Sequence, residues 1–151
     1  MKDGNAIQRI TILVTFGVLS LTAAMAIGQE LPYTEGSVWS ISMIRVKPGM
    51  FEVYMREVLP ARKKIFDEAK KQELVISTHT LSGNATGRDD FNVMFLDEYK
   101  NWAAFDGIDA KYRAIESKII GPEEKRVQLM TKRADVREIV GEKVMQELIT
   151  K

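Results

Sequence analysis

The spacing of apolar residues changes several times along the chain, and each change marks an element. Residues 10–26 (ITILVTFGVLSLTAAMA) carry no charge at all. From Ser37 to Lys47, Trp39, Ile41 and Met43 alternate with Val38, Ser40 and Ser42, and Ile44 and Val46 follow. A period of two predicts a strand, and Pro48-Gly49 ends it. Phe51, Tyr54, Val58, Ala61, Ile65 and Ala69 then recur at steps of three and four. That stripe predicts a helix from about Gly49 to Gln72. Pro60 interrupts it. A proline there removes a backbone donor and costs about 3 kcal/mol in a regular interior. The expectation is a bend, with the second half of the helix restarting around Pro60.

The β-branched run Leu74 to Leu81 predicts a second strand. Ser82 to Gly87 reads as a hairpin loop. Its Asn84-Ala85-Thr86 matches a glycosylation sequon but is read as loop chemistry. Phe91 to Tyr99 alternates again as strand three. Asn101 is placed to cap a helical region carrying Trp102, Phe105, Ile108, Tyr112, Ile115 and Ile119, with a break at Gly107. Gly121-Pro122 ends it and starts another helix at Glu123. Val144, Met145, Leu148 and Ile149 fit either period. Closing a four-stranded sheet assigns Lys143 to Thr150 to a strand, with helix throughout as the alternative. Strand, helix, strand, strand, helix, strand is an α+β arrangement. It is the ferredoxin-like βαββαβ pattern, an antiparallel sheet with helices on one face.

The uncharged run of 17 residues at the start changes the picture of the compartment. Lys2 and Arg9 precede it, and Ala24-Met25-Ala26 has the small-x-small form of a signal-peptidase site. Residues 1–26 are expected to be a cleaved signal peptide, with an uncleaved membrane anchor as the rival, and the chain to be exported to a periplasmic or extracellular space. Residues 27–36 read as a linker broken by Pro32 and Gly36. Residues 37–150 form the domain. About 125 residues after cleavage suffice for a sizeable core without disulfides.

Composition narrows the chemistry. The chain of 151 residues is 45% hydrophobic and 28% charged, with a net charge of +1, so nothing argues for nucleic acid. Cysteine is absent and His79 is the single histidine, which excludes zinc-thiolate sites, thiol nucleophiles and a three-histidine metal site within one chain. No Gly-rich phosphate loop or Gly-x-Ser-x-Gly elbow occurs.

Strand one is apolar on both faces: Trp39, Ile41 and Met43 on one, Val38 and Ile44 on the other. Helices on one side cover only half of that surface, so a second copy of the chain is expected to cover the rest. The stretches VWSISMIRVKPGMFEVYM, PARKKIFDEAKKQELVISTHTLSG and DDFNVMFLDEYKNWAAFD resemble the dimeric α/β-barrel superfamily, in particular small exported bacterial members akin to antibiotic-biosynthesis-monooxygenase-like domains. The resemblance lies in the order of elements and in the strand-Lys-Pro-Gly-helix and Asn-Trp-x-x-Phe junctions. It implies a homodimer whose paired sheets close a barrel. Some members are cofactor-free oxygenases and some bind haem. The haem-degrading ones carry their axial histidine on a helix, and helix one has none, so no cofactor and no metal are expected here.

Seven residues are candidates for chemistry. His79, in phase with Val75, Ser77 and Leu81, can act as a base or bind haem iron. A strand histidine with one hydrogen bond is the plain alternative. Tyr54 and Tyr112 lie on helix stripes, where a phenol can hold a ligand oxygen or simply pack. Trp39 and Trp102 can stack on a flat ligand or fill a core or interface. Arg45 can neutralise an anionic substrate or pair with Asp97 or Glu98. Asn92, polar within an apolar strand, can orient a ligand carbonyl or face solvent. Three readings follow. The first is binding of a small apolar or aromatic molecule between sheet and helices. The second is a cofactor-independent oxygenase on an aromatic substrate, with His79 as base and Tyr54 and Asn92 orienting. The third is a structural dimer with a filled core.

Overall fold

A computed structural model describes residues 30–87 and 89–151. The expected signal peptide or anchor therefore lies outside the described residues. Strand β1 runs Tyr33–Val46, helix α1 Phe51–Val53, a π-helical turn Tyr54–Val58, α2 Leu59–Lys71 and β2 Ser77–Ser82. Then come β3 Val93–Tyr99, a 3-10 turn Trp102–Phe105, α3 Ile108–Ile119, α4 Glu123–Val136 and β4 Arg137–Thr150. The strands form a four-stranded sheet in the order β2-β3-β1-β4. All neighbours run antiparallel. This is the βαββαβ topology that the hydrophobic pattern predicts.

Each irregularity has a local cause. Pro60 sits at the start of α2 and cannot donate to the turn before it. The chain widens there instead: Leu59 N–H reaches back five residues to the Tyr54 carbonyl. The restart expected near Pro60 is present, and the break takes the form of one π turn. Asn101 caps its 3-10 turn by accepting from the Ala104 amide at 3.2 Å. Gly107 has φ +64°, the left-handed region that glycine enters freely, and separates the turn from α3.

Several boundaries differ from expectation. β2 begins at Ser77 rather than Leu74, and β3 at Val93 rather than Phe91. β1 begins at Tyr33, so the 33–36 end of the expected linker is strand. Tyr33, Thr34 and Glu35 pair with Thr150, Ile149 and Leu148, and the register then shifts before Val38. β4 is strand, as closure of a four-stranded sheet predicts, but begins at Arg137 rather than Lys143. Ile44 pairs with Ile139 and Met43 with Gly141, which leaves Val140 as an extra residue in a bulge. A Cβ at Gly141 would stand 2.9 Å from Met43 Cε, so the glycine permits that approach.

The helix-covered face of the sheet is buried. Ile44, Val46, Val93 and Phe95 pack with Tyr54, Val58 and Val136 in one cluster. Ile65, Ala69, Val75, Tyr99 and Ile115 form a second. Between the clusters lies a charged seam. Arg62 falls between Val58 and Ile65 on the helical stripe, and Asp97 between Phe95 and Tyr99 on β3. Arg62 Nη2 reaches both Asp97 carboxylate oxygens at 2.7 Å. Thr78 donates its hydroxyl to Asp97 at 2.5 Å and accepts from Arg62 Nη1 at 3.2 Å. The guanidinium lies 3.9 Å from the ring centroids of both Phe66 and Phe95.

Among the described residues, the opposite face carries no helix. Register and alternation place Trp39, Ile41 and Met43 of β1, Met94 and Leu96 of β3, Leu81 of β2 and Met145 of β4 on it. These are half-buried or exposed, and they make a continuous apolar surface. The sheet is greasy on both sides, as strand one alone suggests.

The seam can be tested directly. Asp97→Ala leaves a buried guanidinium unpaired and should lower unfolding free energy by about 3–5 kcal/mol in urea titrations. The double variant Arg62→Leu with Asp97→Leu should lose clearly less. Equal losses in the two would mean that the pair acts through shape rather than charge.

Candidate functional site

A cleft of about 230 Å³ opens between the helix-side face of the sheet and the helices. Its floor includes Ser42 and Ile44 of β1, Phe95 and Asp97 of β3, and Ile139 of β4. Its roof includes Tyr54, Leu59, Arg62, Phe66 and Tyr112, and Arg133 and Arg137 close one end. The π turn has a positional consequence here, because it begins at Tyr54 and sets that ring inside the cleft. Tyr54 is fully buried, and its hydroxyl accepts from Arg137 Nη1 at 3.1 Å. Tyr112 lies 5.5 Å from Phe66, ring to ring. Its hydroxyl is 3.1 Å from that of Tyr99. Burial first, then the Tyr99 hydroxyl, pushes the Tyr112 phenol well above its ordinary range. Burial likewise raises Tyr99. Both hydroxyls are therefore neutral hydrogen-bonding groups rather than acids.

The other candidates stand elsewhere. His79 is exposed on the helix-free face, opposite Leu96, and stacks on Trp39 with ring centroids 6.4 Å apart. The sheet lies between it and Tyr54. Asn92 is at the rim of the sheet. Its Oδ1 accepts from the Val46 amide at 2.8 Å and its Nδ2 donates to the Val46 carbonyl at 3.4 Å. It extends the strand pairing with its side chain. Arg45 pairs with Glu138 of β4 at 2.8 Å, and not with Asp97 or Glu98. Those two are engaged by Arg62 and by Ser77. Trp102 is 54% exposed on its 3-10 turn and lies outside the cleft. So Tyr54 and Tyr112 come together, Trp39 and His79 come together on the opposite face, and Asn92, Arg45 and Trp102 join neither group. Within one chain the oxygenase arrangement of His79, Tyr54 and Asn92 is not assembled.

Arg45 and Asn92 line a wider crevice of about 1130 Å³ at the end of the sheet, between the Lys47–Gly49 turn and the Ser82–Gly87 loop. Arg45 is committed to Glu138 there and Asn92 to Val46. Thr86 is occupied as well. Its amide and hydroxyl both donate to Asp90, and the amide above all holds that carboxyl below its usual range.

No protein-family profile matches the chain, and no curated protein sequence matches it. Among solved structures the chain is similar to HapK from Hahella chejuensis, at 16% identity over 73% of this chain and 91% of that one, with a TM-score of 0.40. It is similar to a dimeric ferredoxin-like protein from an uncultured marine organism, at 14% identity, 78% and 98% coverage and a TM-score of 0.46. It is also similar to a dimeric protein of unknown function and ferredoxin-like fold from Bacteroides fragilis, at 12% identity, 79% and 100% coverage and a TM-score of 0.41. At this distance none of the three says anything about the cleft.

The cleft's charged residues were absent from the sequence-based candidates. Arg62 and Asp97 had a visible signal: each is a charge in phase with an apolar stripe, at positions a core would fill with an aliphatic side chain. Arg133 and Arg137 had none, since they straddle the change from helix to strand.

The tyrosine pair predicts alkaline behaviour. A phenol whose pKa is raised by folding contributes stability that is fully present below the ordinary value of 10.0 and is lost as pH rises above it. The urea midpoint should therefore fall above about pH 10, and Tyr112→Phe should flatten that fall. A wild-type midpoint independent of pH in that window would contradict the buried pair.

Proposed function

We propose that the protein is an exported homodimer that binds a small, largely apolar molecule, about one aromatic ring in size, in the cleft between sheet and helices. The observation that carries this reading is the cleft itself. It combines apolar walls, among them Ile44, Val58, Ile65, Phe66 and Phe95, with the hydroxyls of Tyr54 and Tyr112 and with charged side chains, the paired Arg62 and Asp97 and, beyond them, Glu116, Arg133, Arg137 and Glu142. An apolar cavity of about 150 Å³ already admits benzene, so the volume here suits one ring and little more. A solid core would not leave such a space.

The dimer is supported by the helix-free face. Trp39, Ile41, Met43, Met94 and Leu96 are contiguous there across two strands, and an apolar sheet face of that extent is rarely left in water. A second copy with the same face is the occupant whose chemistry matches. His79 and Trp39 then belong to the interface. Export is supported by the uncharged run at residues 10–26 and its Ala-Met-Ala end.

Ligand binding is tested by saturation-transfer NMR with benzyl alcohol, a neutral one-ring probe, and benzoate. At least one should bind, and Ser42→Phe, which places a ring on the cleft floor, should abolish the signal. Signal that survives Ser42→Phe would move binding out of the cleft.

The mature protein is expected to begin at Ile27 by N-terminal sequencing and to scatter light as twice its monomer mass. Leu96→Lys, which charges the helix-free face, should scatter as a monomer. A wild-type monomer would remove the second copy from the proposal.

A further inference from the structure

Arg133 in the last turns of α4 and Arg137 at the start of β4 stand at a junction of two cavities. Both line the cleft, and both line an outer groove of about 400 Å³ whose other walls are Met130, Ala134 and Ile139. Met130 and Ile139 are exposed apolar side chains. The two guanidinium groups are thus set among aliphatic walls, with the cleft on one side and the groove on the other.

Neither arginine has an ion-pair partner among the described residues. Arg137 donates to the Tyr54 hydroxyl and lies 5.8 Å from the centre of that ring. Arg133 has no hydrogen-bond or ion-pair partner among the described residues. Burial and then the charge of Arg137 lower its pKa, while Glu116 acts in the opposite sense without reaching pairing distance. The contrast with Arg62 is instructive. Where this chain buries a cation for structure, it supplies a carboxylate at 2.7 Å, a threonine and two aromatic rings. At Arg133 and Arg137 it brings two like charges together in a partly desolvated place and closes an ion pair to neither, although the carboxylates of Glu116 and Glu142 line the same cleft. Such an arrangement leaves donors of both guanidinium groups open to a further anion that can reach them directly.

Taking the cleft as a binding site, as proposed above, we infer that its ligand carries an acidic group, as a one-ring aromatic carboxylate does, held between Arg133 and Arg137. The planar guanidinium fork matches a carboxylate in geometry as well as charge. The ring enters the cleft against Phe66, Phe95 and Ile44, and the carboxylate stays at the junction. The Tyr54 hydroxyl accepts from Arg137, so its own proton is free to turn toward the bound oxygen.

Isothermal titration calorimetry of the full mature protein, at one fixed ionic strength, tests this with three probes. Benzoate has ring and charge, benzamide has the ring and no charge, and inorganic phosphate has charge and no ring. Benzoate should bind roughly tenfold to a hundredfold tighter than benzamide, the range expected for a charge-assisted hydrogen-bonded pair. Arg133→Gln should remove that preference while leaving weak benzamide binding. Benzamide binding as tightly as benzoate overturns the acidic ligand and leaves the cleft reading standing. Binding of neither overturns both. Phosphate binding as tightly as benzoate also overturns the inference, because the ring would then contribute nothing. The wild-type comparison decides the matter even if Arg133→Gln does not fold.

Discussion

The ion pair between Arg62 and Asp97 fixes how the first helical segment lies on the sheet. It joins α2 to β3 midway between two hydrophobic clusters, at a point where both elements present charge in place of an aliphatic side chain. Removing two charges from water is costly, and the mutual attraction of a buried pair often no more than offsets that cost. What the pair supplies is geometry. An aliphatic contact tolerates sliding, whereas a guanidinium held by two carboxylate oxygens and a threonine, between two aromatic rings, admits one register. With α2 fixed in that way, Tyr54, five residues before α2, has one place to go.

That place is set by the π turn. A proline so close to the start of α2 prevents the helix from continuing through without interruption, and the wide turn accommodates it while carrying Tyr54 and Val58 inward. Local backbone chemistry and tertiary placement meet here. The turn follows from Pro60, but the use of the turn follows from the sheet beneath it. The cleft is what remains between a helix fixed by a salt bridge and a sheet whose inner face includes two small serines, Ser40 and Ser42, among larger neighbours. Serine opposite phenylalanine leaves room that leucine would fill.

The outer face of the sheet follows a different logic. Its apolar residues support one another across three strand pairings, yet none of the described helices reaches them. A histidine placed there, stacked on a tryptophan, is suited to an interface and not to a cavity. The two faces of the sheet thus differ in character. The helix side encloses a small space with charge at one end, and the bare side offers a surface that matches itself.

The sequence by itself determined the order of elements, the bend at Pro60, the Asn101 cap and the break at Gly107, because each depends on neighbours within a few residues. It also determined that β1 is apolar on both faces, since alternation with period two is a local property. It did not determine which of those faces would meet the helices. Val38 and Ile44 are as apolar as Trp39 and Ile41, so the pattern is symmetric and only packing breaks the symmetry. Once packing placed Val38 inside, parity carried His79 to the other side of the sheet from Tyr54 and separated residues that look equally suited to one site. Arg62 and Asp97 were each legible as misplaced charges, but their meeting spans 35 residues and depends on the register of two elements. Arg133 and Arg137 come together through the turn from α4 into β4, and no periodicity extends across a change of period. Short-range chemistry is written along the chain, whereas the company that a side chain keeps is decided by how whole faces stack.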